Sequence, residues 1–125
     1  MNIIETPNAP GAIGPYSQAI VANGFVFTSG QIPIDPATGR IEAACIEVQT
    51  AQVIKNLAAI LEAAGSGLDK VVKTTCFLSD IGLFSRFNEV YGQYFPQKPA
   101  RSCVEAAKLP KDALLEIEAV AAIGS

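Results

Sequence analysis

Two charged residues near the end of the chain, Arg101 and Glu116, have the side chains best suited to chemistry on a small anion. A planar guanidinium grips a carboxylate through two parallel hydrogen bonds, and a nearby glutamate can orient or deprotonate water. Each residue begins a predicted strand, and we expect both side chains on the sheet face that carries no helix. A cross-strand ion pair, between the two or with Glu105, is the alternative that their spacing leaves open.

Two segments at backbone turns add candidate polar groups. Tyr16 follows Gly14-Pro15, which fixes the backbone and directs the tyrosine ring. The ring either enters a cleft or packs as an apolar group at a subunit contact. Ser29-Gly30-Gln31 ends an apolar run where glycine allows close backbone approach. The N–H groups of this second segment are therefore candidates for holding a carboxylate or carbonyl oxygen.

The chain contains no histidine, which excludes Ser-His-Asp and Cys-His pairs and most catalytic zinc sites. Any catalysis must use carboxylate, Arg, Lys, Tyr, Ser, Cys or backbone groups. Three cysteines without a CxxC spacing predict free thiols. We expect the thiol of Cys103 to contact a ligand or simply to pack. Asn88 lies in a predicted helix, where the default is a solvent-facing or locally hydrogen-bonded side chain.

Length and composition predict a single domain over residues 1–125 and a cytoplasmic location. We expect no signal peptide, because the first ten residues contain no basic segment followed by an apolar one. Glycines and prolines interrupt the longest uncharged stretch, so we expect no membrane segment. A net charge of −3 without a cluster of Lys and Arg argues against a nucleic-acid partner.

Hydrophobic periodicity predicts the element order ββαβαββ. Asn23-Gly24 is typical of a two-residue hairpin turn, and Gly65 is typical of a helix C-cap. In chain order we predict strands at residues 18–22 and 25–29, a helix at 46–64, a strand at 70–79, a helix at 81–95 and strands at 101–109 and 115–123, with a candidate short strand at 40–43.

The predicted order places both helices on one face of a mixed sheet, because each strand-helix-strand step needs a crossover. In the last strand, alternation turns Glu116 away from the helices. In the preceding strand Val104 and Ala106 suit the helix side, which leaves the opposite face to Arg101, Cys103 and Glu105. Apolar groups on both sides of residues 70–79 then predict that another chain covers this face. We expect an oligomer with Arg101 and Glu116 at or near its interface.

Five segments along the chain form an ordered set of motifs. They are Gly14-Pro15-Tyr16-Ser17-Gln18-Ala19, Phe27-Thr28-Ser29-Gly30-Gln31, Asn88-Glu89-Val90-Tyr91, Pro99-Ala100-Arg101-Ser102-Cys103-Val104, and Leu109-Pro110-Lys111-Asp112-Ala113 through Glu116-Ile117-Glu118-Ala119. In the order and spacing of these motifs the whole chain resembles the RidA (YjgF) family. The arginine of the fourth motif is typical of the deaminase-active subgroup of that family.

This resemblance implies a chorismate-mutase-like α+β fold, assembled as a homotrimer with three clefts between subunits. It implies a cofactor-independent hydrolase without metal, a 2-iminobutanoate/2-iminopropanoate deaminase. The substrates would be 2-aminocrotonate and 2-aminoacrylate or their imine tautomers, released by pyridoxal-phosphate-dependent dehydratases of serine and threonine. The products would be ammonia and a 2-oxo acid.

The resemblance also implies a role for each candidate residue. Arg101 would clamp the substrate carboxylate, helped by the backbone at Cys103, and Glu116 would activate the attacking water. The remaining residues would border the substrate or line the pocket: Tyr16, Ser29, Gly30, Gln31 and, from the edge, Asn88.

Three other functions are weighed against deamination. The same arginine-lined cleft would serve a non-catalytic sensor of 2-oxobutanoate or another oxo acid, and Glu116 discriminates, since binding a carboxylate does not need it. Ribonuclease activity conflicts with the acidic balance, because phosphate contacts need positive charge. Chorismate mutase activity rests on fold analogy alone.

Overall fold

A mixed six-stranded sheet with two helices on one face forms the molecule. The structure is a computed structural model that describes residues 1–124. Single turns of 3-10 helix at Leu68–Lys70, Ile81–Leu83 and Pro110–Asp112 precede the fourth strand, the second helix and the last strand. The regular elements are β1 (Asn2–Ile4), β2 (Ala19–Ala22), β3 (Phe25–Thr28), α1 (Ile46–Ala63), β4 (Val71–Leu78), α2 (Phe84–Tyr94), β5 (Ala100–Glu105) and β6 (Leu115–Ala122).

The strands lie side by side in the order β1-β2-β3-β6-β4-β5. Every neighbouring pair is antiparallel except β4 and β5. In the β2–β3 hairpin, Asn23 and Gly24 have φ values of 52° and 80°, and a type I′ turn requires this positive φ at both central residues. The helix α1 connects β3 to β4, and α2 connects β4 to its parallel neighbour β5. The last strand, β6, fills the gap between β3 and β4.

The core lies between the helices and the sheet. Alternating residues of β6, from Leu115 to Ala121, are at most 3% exposed and point toward the helices. The helix α1 ends with Gly65 at φ 81°, while the N–H of Ser66 donates to the carbonyl of Leu61 at 2.8 Å. Both helices contribute fully buried side chains at helical spacing, namely Val53, Ile54, Leu57, Ile60, Leu61 and Phe87.

The opposite face of the sheet, called here the open face, has no helix across it. Strand pairing places Phe27 beside Val120, and Phe77 beside Glu116, on this face. Phe27 is 46% exposed and Val104 is 48% exposed. A single chain therefore leaves large apolar side chains in water, and the expectation that another chain covers them stays a prediction.

The predicted α+β class, with a mixed sheet and both helices on one face, is confirmed. The predicted order ββαβαββ is wrong by one element, because β1 adds a strand that is too short to show an alternating pattern. The predicted strand at residues 101–109 ends at Glu105, since its only neighbour, β4, ends opposite it at Leu78. Residues 40–43 form no strand, and only a bridge joins Asp35 to Arg40.

Neither helix within residues 1–124 has the length and apolar character needed to cross a membrane. The cytoplasmic location stays a prediction.

Candidate active site

Arg101 lies on the edge strand β5, beneath one face of α2. Its Nη1 donates to Oδ1 of Asn88 at 2.8 Å. Its guanidinium carbon lies 4.9 Å from the ring centroid of Tyr91, and 5.5 and 5.9 Å from those of Phe84 and Phe87. Helical spacing brings these four α2 residues to the same side. One amide oxygen and three rings thus hold the cation, and its other N–H groups are left to bind an anion.

A cleft of about 350 Å³ opens beside this guanidinium. Because Oδ1 of Asn88 accepts from Arg101, its Nδ2 group stays available as a second donor toward a bound ligand. The default expectation for Asn88, a solvent-facing or locally bonded side chain, is therefore wrong. The lining residues are Asn88, Tyr91, Gly92, Phe95, Lys98, Pro99 and Arg101.

Cys103 is half-buried next to Arg101 and pairs in register with Cys76 of β4. Burial raises the pKa of the Cys103 thiol, and the charge of Arg101 opposes this only in part. Burial also raises the pKa of Cys76, to about 12. A raised pKa keeps a thiol protonated and poorly nucleophilic, so Cys103 is suited to packing or ligand contact. We call Asn88, Arg101 and Cys103 the arginine site.

The expected orientation of β5 is wrong. Arg101 pairs with buried Thr74 and contacts α2, so it lies on the helix face, and Cys103 joins the core on the same side. Val104, assigned to the helices from its apolar side chain, lies exposed on the open face. The reason is that the rings of α2 accommodate a cation on the helix side, whereas the open face is itself largely apolar.

Glu116 lies on the open face of β6, against the backbone of Gly30. A Cβ atom added to Gly30 would lie 2.0 Å from Oε2 of Glu116, so any other residue here would displace this carboxylate. Burial raises the pKa of the half-buried Glu116, and the nearby charge of Glu118 raises it further. A glutamate with a raised pKa is suited to accept and release a proton near neutral pH.

The alternative prediction, an ion pair between Arg101 and Glu116 or with Glu105, is wrong for the residues that the structure describes. Between residues 1 and 124, ion pairs join only Arg40 to Glu42 and Arg86 to Glu47. Glu105 instead accepts a hydrogen bond from the N–H of Ile81 at 2.8 Å.

The remaining candidates surround Gly30. The backbones of Gln31 and Ile117 exchange two hydrogen bonds, of 2.8 and 3.1 Å, which holds this segment beside β6. Ser29 Oγ donates to the carbonyl of Ser17 at 2.5 Å and so ties the segment to the loop of Tyr16. Tyr16, Gly30 and Gln31 line one cavity of about 320 Å³. We call Tyr16, Ser29, Gly30, Gln31 and Glu116 the glutamate site.

Gln18 is a supporting residue that the sequence reading missed. Its Oε1 accepts from the N–H of Thr6 at 2.7 Å, and its Nε2 donates to the carbonyl of Pro10 at 2.8 Å. These bonds anchor the loop that carries Tyr16, whose ring is 53% exposed. The available signal was a glutamine at the start of a predicted strand, since a buried amide must find partners.

The structure therefore brings the candidate residues together in two groups, not one. The arginine site lies on the helix face, and Glu116 projects from the open face, with β4 between their strands. A ligand held by Arg101 cannot reach Glu116 of the same chain through the sheet. Any site that uses both residues must combine two copies of the chain.

Within residues 1–124, no three acidic or cysteine side chains are grouped as a metal ion would require. The expected independence from metals and cofactors stays a prediction.

Comparison with known proteins identifies the family of this chain. The model of the family described as "Endoribonuclease L-PSP" matches residues 6–123. The chain belongs to this family, which includes the RidA, YjgF and RutC proteins.

The relatives cover the chain almost completely. The RutC family protein slr0709 of Synechocystis is 55% identical, over 98% of this chain and 97% of the relative. Reactive Intermediate Deaminase A, chloroplastic, of Arabidopsis thaliana is 47% identical, over 97% of this chain and 65% of the relative. The crystal structure of E. coli TdcF with bound serine superposes with a TM-score of 0.94 at 47% identity, covering 99% of this chain and all of that one.

Proposed function

We propose that this chain is a cofactor-independent hydrolase that deaminates small 2-imino acids. The substrates are 2-iminobutanoate and 2-iminopropanoate, in equilibrium with their enamine tautomers, and the products are 2-oxo acids and ammonia. The observation that carries the proposal is Glu116, a half-buried carboxylate without a cation partner in residues 1–124, whose pKa is raised by burial. A relative named as a reactive intermediate deaminase supports the same reaction class.

The arginine site binds the substrate carboxylate in this mechanism. Arg101 supplies paired N–H donors, and Nδ2 of Asn88 donates beside them. The three aromatic rings shield part of the guanidinium from water, which strengthens the charge interaction. The backbone at Cys103 completes the contacts. Fixing the carboxylate orients the adjacent imine carbon for attack.

The glutamate site supplies the attacking water. Glu116 accepts a proton as the water oxygen bonds to the carbon of the protonated imine, and a tetrahedral carbinolamine forms. The same carboxyl returns this proton to nitrogen and then takes the hydroxyl proton of the carbinolamine as the carbonyl forms and the C–N bond breaks. Ammonia leaves, accepts that proton as ammonium, and the 2-oxo acid remains. Tyr16 borders the substrate, and the Ser29–Gln31 backbone lines the pocket. Each general acid–base step contributes about 10²- to 10⁴-fold.

The assembly that unites the two sites is a homotrimer with three equivalent clefts. Each cleft combines the arginine site of one copy with the glutamate site of its neighbour. The exposed apolar residues of the open face, including Phe27 and Val104, supply the surface that such an assembly would bury. Three identical head-to-tail contacts close into a ring, so the open face of every copy is covered.

Deamination is favoured over an oxo-acid sensor by the position of Glu116. Holding a carboxylate requires only the arginine site, and placing a second carboxylate in the same cleft opposes anion binding. A sensor therefore has no use for this residue. Nucleic-acid cleavage is disfavoured by the net charge of −3 and the absence of histidine.

The test is ammonia release from iminobutanoate generated in place by a threonine dehydratase. We expect the wild-type chain to accelerate release, Glu116→Gln to abolish the acceleration, and Glu89→Gln, at an exposed position of α2, to retain it. Isothermal titration with 2-oxobutanoate is run alongside. Binding without acceleration by the wild-type chain would refute the deaminase proposal and support the sensor.

A further inference from the structure

The support beneath Arg101 extends beyond its direct contacts. Tyr91 is the nearest of the three rings, with its centroid 4.9 Å from the guanidinium carbon. Its hydroxyl shares a hydrogen bond of 2.7 Å with Oγ1 of Thr74 on β4. Thr74 is fully buried, Tyr91 is 6% exposed, and Thr74 pairs in register with Arg101 itself. The strand next to the arginine thus holds the ring on which the arginine rests.

We propose that Tyr91 and Thr74 form a positioning pair that fixes the guanidinium of Arg101 for its carboxylate ligand. The guanidinium packs against the ring of Tyr91, and the hydrogen bond to Thr74 sets the position of that ring relative to β5. Neither residue requires direct contact with the reacting atoms. The pair therefore acts through Arg101, and it fixes an otherwise flexible side chain before the ligand arrives.

Two observations separate this role from ordinary core packing. Arg101 lies on an edge strand, so only β4 and α2 restrain it, and the Thr74–Tyr91 bond links those two elements directly beneath it. The rings of Phe87 and Phe95 lie 5.4 and 4.6 Å from that of Tyr91, so packing alone could retain the ring without any hydroxyl. The hydroxyl is needed only where the exact angle of the ring matters.

The direct test is the mobility of the arginine side chain, measured by ¹⁵N relaxation of its Nε–H group. The chain contains three arginines, and Arg101→Lys identifies the signal of Arg101. We expect a rigid Arg101 in the wild-type chain and an order parameter below about 0.6 in Tyr91→Phe and Thr74→Val. Arg86, held by Glu47 through two hydrogen bonds of 2.8 Å, is the internal control and should not change.

Matched variants distinguish positioning from general damage to the core. Thr74→Ser keeps the hydroxyl and should retain a rigid Arg101. Tyr94→Phe removes a hydroxyl from the same helix outside the arginine site and should also leave Arg101 rigid. A rigid Arg101 in both Tyr91→Phe and Thr74→Val, or equal mobility in Tyr94→Phe, would overturn the proposal. If Tyr91→Phe unfolds, the pair Thr74→Val and Thr74→Ser decides the question alone.

Kinetics provide a second readout, which rests on the proposed function. We expect Tyr91→Phe to lower kcat/KM by about threefold to tenfold, the effect of one net hydrogen bond, and Thr74→Ser to retain it. An unchanged kcat/KM in both Tyr91→Phe and Thr74→Val would contradict a role through the carboxylate clamp. The relaxation measurement needs neither substrate nor turnover, so failure of the deaminase proposal leaves its result intact.

Discussion

The carboxyl of Glu116 occupies the space that a Cβ atom at Gly30 would take. Because an added Cβ would lie 2.0 Å from Oε2, Gly30→Ala must displace the carboxyl. A displacement of about 1 Å lowers the rate of a positioned reaction by about 100-fold, and we expect a loss of this size in kcat/KM. The assay is imine-dependent ammonia release, with thermal melting as the check on folding. Unchanged kcat/KM in a folded Gly30→Ala variant would show that Glu116 need not hold this position.

The raised pKa of Glu116 also predicts how its replacement changes stability. A carboxyl whose folded-state pKa lies above the unfolded value contributes its stability at low pH and loses it as pH rises through the folded pKa. Ionised Glu116 therefore costs stability at pH 7, and we expect Glu116→Gln to melt at a higher temperature there. The gap should narrow as the pH falls below the pKa of Glu116. A Gln variant less stable at every pH would contradict the burial that raises this pKa.

The types of the site residues could be predicted from the sequence, but not their arrangement. Arg101, Glu116 and the segment at Gly30 stand out because few residue types bind carboxylates or activate water. The shared face assigned to Arg101 and Glu116 was wrong, because alternation within β5 does not tell which side the strand presents. The face on which Arg101 lies depends on the aromatic rings of α2, which lie next to β5 only in the folded chain.

Among the secondary-structure elements, those with a strong local signal could be predicted. The Asn23-Gly24 turn determines the hairpin, and helical spacing with Gly65 determines α1. The short strand β1 has no such local signal, because its position depends on pairing with the edge of β2. The end of β5 likewise depends on where its neighbour β4 stops.

The two helices are joined on their outer side by one paired contact. Arg86 of α2 donates two hydrogen bonds of 2.8 Å to the carboxylate of Glu47 on α1. The hydrogen bonds from Arg86 lower the pKa of Glu47 to about 2. A carboxyl whose folded-state pKa is lowered adds stability at pH values above its unfolded-state pKa. That stability is lost as the pH falls through its folded-state pKa.

We therefore expect Arg86→Ala to lower the melting temperature slightly at pH 7, since the pair is exposed and screened by solvent. The difference from wild type should disappear as the pH falls toward 2. Arg40→Ala is the matched control, because Arg40 pairs with Glu42 within one loop and joins no two elements. Equal effects of both variants at pH 7 would mean that the contact between helices adds nothing.

For the whole molecule, the proposed trimer explains how two half-sites on opposite faces would form one active site. Arg101 and the rings of α2 lie on one side of the sheet, and Glu116 lies on the other. The exposed apolar side chains lie on the same face as the second half-site, so in the proposed trimer one contact would cover that face and complete the site. Sequence alone predicts an oligomer from the excess of apolar residues, but not the placement of Arg101 and Glu116 on opposite faces, from which we propose that different copies supply them.

Complementation between two inactive variants tests this claim most directly. Arg101→Ala and Glu116→Gln are each expected to be inactive, because every cleft lacks one of its two groups. Co-expressed in equal amounts, they form mixed trimers in which about one cleft in three combines an intact arginine site with an intact glutamate site. The measurement is ammonia release by purified mixed trimers, whose subunit content is verified by mass. We predict recovery of about a third of the wild-type rate, since one of three clefts is intact in every mixed trimer, whereas mixed trimers that stay inactive would contradict a cleft shared between subunits.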